Sequence, residues 1–309
     1  MAAPGAAIAR SSPGPARLVG FALAVLGILV LVGLLPRFIG LLTTNPLSDV
    51  RAYYDAGARL NAGLPLYDLS IDVNASEFYR YPPLLAILFR PIAAFLPYEA
   101  AAALWGVGMV VAFGATVWLL GPRRFRTWAA VCALAFPIAW CLAIGQAQVL
   151  VTLLLTIASP AAVAVAGQLK VLPALAALYW LGRGEWRALG WFVAWSLGLL
   201  ALQLVLEPQG TIDFFRITNL SQVGDIDNLS PFGLSPALWA VLAAAGFVLT
   251  LVLARTRAGW ATAVAYSVLV TPRLLAYLLM GLLACLSRPS TEVAEPHDGG
   301  SDTSSGTSG

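Results

Sequence analysis

The sequence predicts an all-α membrane protein that crosses the bilayer many times, and three observations carry that expectation. Of its 309 residues, 60% are hydrophobic and only 11% charged, where a water-soluble domain has about 25% charged residues. The apolar residues come in runs of about 18 to 22, the length at which a helix spans a hydrocarbon core. Arginine groups fall at alternate ends of those runs, as the preference of basic residues for the cytoplasmic side demands.

The elements follow in order. Arg10 and Arg17 precede the apolar run Leu18 to Leu35, which is too long for a signal-peptide core and has no small-residue cleavage site, so it reads as a retained first span. Further spans are expected near 100–120, 127–144, 147–181, 187–206, 236–254, 258–271 and 273–287, the first covering 18–42. The stretch 147–181 is cut by Ser159-Pro160 and Gly167, which raises the expected count to about eight to ten. Residues 83–97 follow Pro82-Pro83 with too few apolar residues to span, and read as an interfacial or re-entrant helix in the first outer loop. Residues 1–17 and 288–309 have the composition of disordered tails around a transmembrane domain at 18–287.

Orientation follows from Arg10/Arg17, Arg123/Arg124/Arg126, Arg183/Arg187, Arg255/Arg257 and Arg288, taken as cytoplasmic. Residues 43–99, the Gly145-Gln146 turn, 207–235 and the Pro272-Arg273 turn are then on the outer face of a plasma membrane. A net charge of +3, with basic residues beside spans, gives no footprint for nucleic acid. Cys132, Cys141 and Cys285 lie in apolar runs and read as packing residues. The sole histidine, His297, lies in the polar tail, so no histidine-based metal site is expected. No internal repeat and no phosphate-cradling glycine motif is evident.

The outer loop 43–99 holds Asp49, Asp55, Asp68, Asp72, Glu77 and Glu99, six of the 15 acids in less than a fifth of the chain. Four more, Glu207, Asp213, Asp225 and Asp227, lie in the second outer loop. Asp49 stands out because it follows the first span by a few residues, close to the bilayer surface. Ser48 and Asp49 are placed to cap a helix running from Val50 to Leu60. The carboxylate is then either a cap alone or a base able to take a proton from a hydroxyl. Lys170, the only lysine, sits among apolar residues, where an ionisable group either serves a site or snorkels to an interface. Arg273 after Thr271-Pro272 presents the same choice, and both suit a phosphate leaving group. In Gly145-Gln146, glycine permits a tight turn and the amide offers donor and acceptor.

Taken in order, several short motifs resemble the integral-membrane GT-C superfamily, specifically glycosyltransferase family 87. They are Ser48-Asp49 with Tyr53-Tyr54, Gly63 to Asp68, Tyr81-Pro82-Pro83, Leu96-Pro97-Tyr98 with Trp105, and Gly145-Gln146. They continue with Lys170 and Pro173, Asn228-Leu229-Ser230, and Thr271 to Tyr277. The resemblance implies a GT-C-like helical bundle and a polyprenol-phosphate-mannose-dependent mannosyltransferase of the actinobacterial cell envelope, working on the extracytoplasmic face. It implies an inverting transfer with Asp49 as general base and a glycolipid or glycan acceptor. Cofactors are none and metal ligands none, the polyprenyl-phosphate-sugar being the donor substrate. Lys170, Arg273 and Arg80 are the implied phosphate partners, and Tyr53, Tyr54, Tyr81, Gln146 and Asn228 the implied substrate-binding set. The chain departs from the pattern in being short around 155–185, in Gln148 where asparagine is common, and in Leu278 where an acid is frequent. The alternative functions are a transporter or lipid flippase, which the broken stretch around Lys170 favours, and a catalytically silent relative.

Overall fold

The computed structural model describes residues 14–44, 46–68, 70, 78–217 and 228–289. Among the described residues the chain is helical, with no strand. Four helices are long and apolar enough to cross a membrane: α1 (Pro15–Gly33), α5 (Tyr98–Leu120), α11 (Trp186–Leu206) and α13 (Pro236–Leu253). Proline at the first turn of α1 and α13 sits where its missing N–H costs nothing, and the Ser235 hydroxyl caps α13 by accepting from the Leu238 N–H. Their outer faces stay exposed, as at Val107, Val110 and Val111 of α5, which is what a lipid-facing helix requires. α2 (Leu35–Thr44) continues from α1 after a break at Leu34.

A bent pair has the length and composition of a broken fifth span or of a re-entrant loop. α6 (Phe125–Ala133) and α7 (Ala135–Ile144) meet at 66° around Leu134. Pro137 in the first turn of α7 has no N–H for the carbonyl four residues back, so a straight helix cannot run through. Gly27 lets α1 lie against this joint, since a β-carbon there would come 2.2 Å from the Cys132 carbonyl oxygen.

The expected count of eight to ten spans is therefore not reached by single helices. The remaining apolar runs break into α8 (Gln148–Ile157), α9 (Pro160–Leu169), a 3₁₀ turn at Leu172–Ala177, α10 (Leu178–Arg183), α14 (Gly259–Leu269) and a 3₁₀ helix at Ala276–Leu286. A ten-residue helix is about 15 Å long, half of a hydrocarbon core. Val151, Leu155, Val163, Ala166, Val264, Met280 and Leu283 are buried within the protein. These segments are apolar because they form the core, not only because they meet lipid. Ser159-Pro160 makes the predicted break, with Ala158 left-handed and the Ser159 hydroxyl capping α9. Gly167 does not: it lies inside α9, against Ala174.

The segments expected in the outer loops form α3 (Ser48–Asn61), α4 (Pro83–Phe95) and, after α11, α12 (Pro208–Ile217). α4 has the length expected of an interfacial or re-entrant piece and buries Leu84, Leu85, Ala86 and Phe89. It packs on α3 at Gly57, where a β-carbon would meet the Phe89 backbone at 2.6 Å. The helix α1 starts at Pro15 and takes in the last three residues of the segment expected to be a tail; residues 1–13 of that tail, and residues 290–309 of the other, lie outside the described residues. At the end opposite α3, the Arg255 guanidinium donates to the Gly182 carbonyl, joining two of the arginine-bearing turns.

Candidate active site

Asp49 enters at the first turn of α3. The chain turns into that helix through Leu47, which is left-handed (φ 56°) and donates its N–H to the Ala143 carbonyl at 2.9 Å. The start of α3 is thereby docked on the end of α7. No side chain caps α3, so the capping role open to Asp49 in the sequence is not the one it takes. Its Oδ2 instead meets three neutral donors: Gln146 Nε2 at 2.5 Å, the Tyr81 hydroxyl at 3.2 Å and the Tyr53 hydroxyl at 3.5 Å. Tyr53 is four residues on, hence on the same helix face. Tyr54 is one position further round. Its hydroxyl donates to the Leu96 carbonyl at 2.9 Å and its ring meets Tyr98, so it joins α3 to the end of α4 and stays out of the cluster.

Gln146 is delivered by the turn between α7 and α8. Gly145 is left-handed (φ +67°), and a β-carbon there would lie 2.2 Å from Val50 Cγ2 of α3. Both conditions select glycine. The Trp105 indole donates to the Gly145 carbonyl at 2.8 Å, and the Gln146 N–H to the Cys141 carbonyl at 2.9 Å. The Gln146 side chain, 1% exposed, accepts from the Tyr81 hydroxyl at 2.7 Å and the Tyr53 hydroxyl at 3.0 Å.

Tyr81 is held by the turn into α4. Its carbonyl accepts from the Tyr67 hydroxyl at 3.0 Å. The Tyr79 hydroxyl donates to the Pro82 carbonyl at 2.7 Å and accepts from the Ala86 N–H at 2.9 Å. Gln203 of α11 accepts from the Leu84 N–H at 3.0 Å, satisfying a helix-start donor that no water reaches.

Beyond Tyr81 opens a cleft of ≈ 330 Å³ lined by Arg80, Tyr81, Gln148, Lys170, Arg273 and Tyr277, with Leu155, Leu169, Val171, Phe214, Val268 and Leu275 among its apolar walls. Lys170, at the C-terminal end of α9, donates to Gln148 Oε1 at 3.2 Å. Its ammonium lies 4.9 Å from the Tyr277 ring centre and 5.5 Å from that of Tyr81, a geometry that stabilises a desolvated cation. Arg273 presents a buried Nη2 with no hydrogen-bond partner among the described residues. A buried guanidinium donor left open is a receptor for an oxyanion. Asn228 serves this loop from outside the cleft: its Nδ2 donates to the Pro272 carbonyl, and its Oδ1 accepts from the Ser230 and Leu274 N–H groups, each at 2.9 Å. It positions the turn that carries Arg273.

Burial pushes the Asp49 carboxyl above its ordinary value, against the opposing pull of Lys170, the Tyr81 hydrogen bond, Arg80 and Tyr53. Burial also holds the Tyr53 and Tyr81 phenols well above their usual range, so both keep their protons as donors. The other loop acids are placed differently. Asp55 pairs with Arg51 at 3.0 Å, Asp68 with Arg59 at 2.7 Å and Asp213 with Arg216 at 3.0 Å. Glu207 accepts from the Gly210 N–H at the start of α12, and Glu99 lies in the first turn of α5. Asp72, Glu77, Asp225 and Asp227 lie outside the described residues. Of the predicted residues, the structure brings Asp49, Tyr53, Tyr81 and Gln146 into one cluster and Arg80, Lys170 and Arg273 into the adjoining cleft. Gln148 and Gln203 were not among the predicted site residues. Their signal is an amide inside an apolar run, which must find a partner when buried.

A family model for glycosyltransferase family 87 matches residues 78–289. A polyprenol-phosphate-mannose-dependent alpha-(1-2)-phosphatidylinositol pentamannoside mannosyltransferase from Mycolicibacterium smegmatis is 27% identical over 207 residues, covering 60% of this chain and 49% of that protein. The chain thus spans about half the length of this curated relative. No solved structure matches. Tyr81, Gln146, Lys170 and Arg273 fall inside the matched segment, while Asp49 and Tyr53 precede it. With well over half of its residues fitting that one family model, the chain belongs to glycosyltransferase family 87.

Proposed function

We propose that the protein is a glycosyltransferase of the plasma membrane that moves a hexose, mannose above others, from a polyprenyl-phosphate-sugar to a glycolipid or glycan acceptor of the cell envelope on the extracytoplasmic face. The carrying observation is the arrangement just described: a carboxylate with no ion-pair partner among the described residues, next to a cleft whose cations include a guanidinium donor left open among them. Asp49 takes the proton of an acceptor hydroxyl as that oxygen attacks the anomeric carbon from the face opposite the phosphate. The bond between the anomeric carbon and the phosphate oxygen breaks with inversion, and its electron pair leaves on the polyprenyl phosphate. Lys170 and Arg273, with Arg80, meet the charge that develops there, in a low-dielectric cleft where such contacts are strongest. The apolar walls formed by Leu155, Leu169, Val171 and Phe214 suit the first isoprene units of the lipid. The family and the mannose-dependent relative support the sugar-transfer class.

The test is sugar transfer in membranes supplied with polyprenyl-phosphate-mannose. Asp49→Asn is expected to lower the rate about 10²- to 10⁴-fold, the usual contribution of a positioned base, with membrane insertion unchanged. Transfer at the wild-type rate by that variant ends the assignment of Asp49 as the base.

A further inference from the structure

The two tyrosine hydroxyls at Asp49 cannot serve all four of their acceptor contacts at once, and a count of hydrogens decides between them. Tyr53 and Tyr81 each carry one hydroxyl hydrogen and each face two acceptors. Both stand nearer to Gln146 Oε1 (3.0 and 2.7 Å) than to Asp49 Oδ2 (3.5 and 3.2 Å). Tyr53 Oη also accepts from the Ala147 N–H at 3.2 Å, and its own hydrogen goes to the nearer of its two acceptors, the amide oxygen. That chain of donors settles the orientation of the Gln146 amide, since Oε1 has its two lone pairs filled by hydroxyls and Nε2 is left to face the carboxylate at 2.5 Å. Gln146 is thus the shortest donor to Asp49. Among the described residues no donor reaches Asp49 Oδ1.

We infer that Gln146 is the positioning residue of the base: anchored by Tyr53 and Tyr81, it holds Asp49 by Oδ2 and leaves Oδ1 as the oxygen that receives the acceptor's proton. This rests on the proposed function for the transfer step, but the contact between Gln146 and Asp49 is testable without it. It also changes the part expected of Gln146, whose buried amide is spent on the protein and not on sugar or phosphate. The titratable and charged groups facing Asp49 are Tyr53 on α3, Arg80 and Tyr81 before α4, Cys141 on α7, Lys170 after α9 and Tyr277 on the 3₁₀ helix. Of these, the Tyr81 and Tyr53 hydroxyls stand ready to replace a lost amide donor, and they do so from further away, at 3.2 and 3.5 Å.

The experiment titrates the Asp49 carboxyl by infrared spectroscopy in the detergent-solubilised full chain, as the difference from Asp49→Asn. Gln146→Met, which keeps volume and removes the donor, is expected to raise the Asp49 pKa by roughly one unit, because a hydrogen bond to the charged form is lost. Gln146→Met/Tyr81→Phe is expected to raise it further. In the transfer assay, Gln146→Met should lower kcat about 10- to 100-fold, the worth of a hydrogen bond to a charged group, with donor and acceptor KM within about threefold. If the Met variant does not survive in detergent, Tyr53→Phe, which frees the amide while keeping the ring, should give a smaller rise. An Asp49 titration unmoved in every variant overturns the inference. So does a donor KM raised tenfold with the titration unmoved, which would put Gln146 on the substrate. Undiminished transfer by Asp49→Asn would instead sink the base assignment, leaving the infrared result to judge the contact alone.

Discussion

At the residue scale, the site depends on one carboxylate being treated unlike its neighbours. Asp55, Asp68 and Asp213 are each neutralised by an arginine. Asp49 is held by amide and phenol donors, and burial raises its proton affinity above the ordinary aspartate value. A base works only when deprotonated, so its rate falls as pH drops through its pKa. The proposed function therefore predicts that the acid limb of kcat/KM for sugar transfer lies above the ordinary aspartate value of about 3.9. Measuring transfer against pH checks this, and a limb at or below that value would contradict the burial argument.

At the element scale, the turn between α7 and α8 decides whether Gln146 arrives. Gly145 combines a left-handed backbone with a 2.2 Å approach to Val50. Gly145→Ala is expected to cost about 2 to 4 kcal/mol, from backbone strain and overpacking against α3. Gly145→Ala/Val50→Ala should recover the packing part alone, which thermal unfolding of the solubilised protein can read. Tyr81, Gln146, Lys170 and Arg273 were legible as motif residues, but of the contacts among the site residues only that of Asp49 with Tyr53 follows from local spacing. Four-residue spacing on a helix puts two side chains on one face by geometry. No local pattern brings Gln146 to a residue 97 positions earlier, or the Gln203 amide to the start of α4 119 positions before it. Both follow from how helices dock.

For the whole molecule, α5 offers a test of the orientation expected from the arginine pattern. Glu99 lies in its first turn and Arg124 just beyond its last, at opposite ends of a helix long enough to cross. With Cys132, Cys141 and Cys285 replaced by alanine, Glu99→Cys should react with a membrane-impermeant maleimide on intact cells. Arg124→Cys should react only after permeabilisation. The reverse pattern would place α3 and the cleft on the cytoplasmic side and end the extracytoplasmic reading.

The sequence by itself determined the helical membrane class, the acid-rich segment 43–99, the break at Ser159-Pro160 and the tight turn at Gly145. Composition, proline and glycine act locally, so their consequences are readable along the chain. The tertiary structure decided which apolar runs form helices long enough to cross the bilayer singly, because a buried core helix and a lipid-facing helix are equally apolar. It also decided that Asp49 is a held carboxylate and not a cap, and that Asn228 ties the loop carrying Arg273. Those outcomes depend on which hydrogen-bond partners arrive from distant segments, and only packing brings them together.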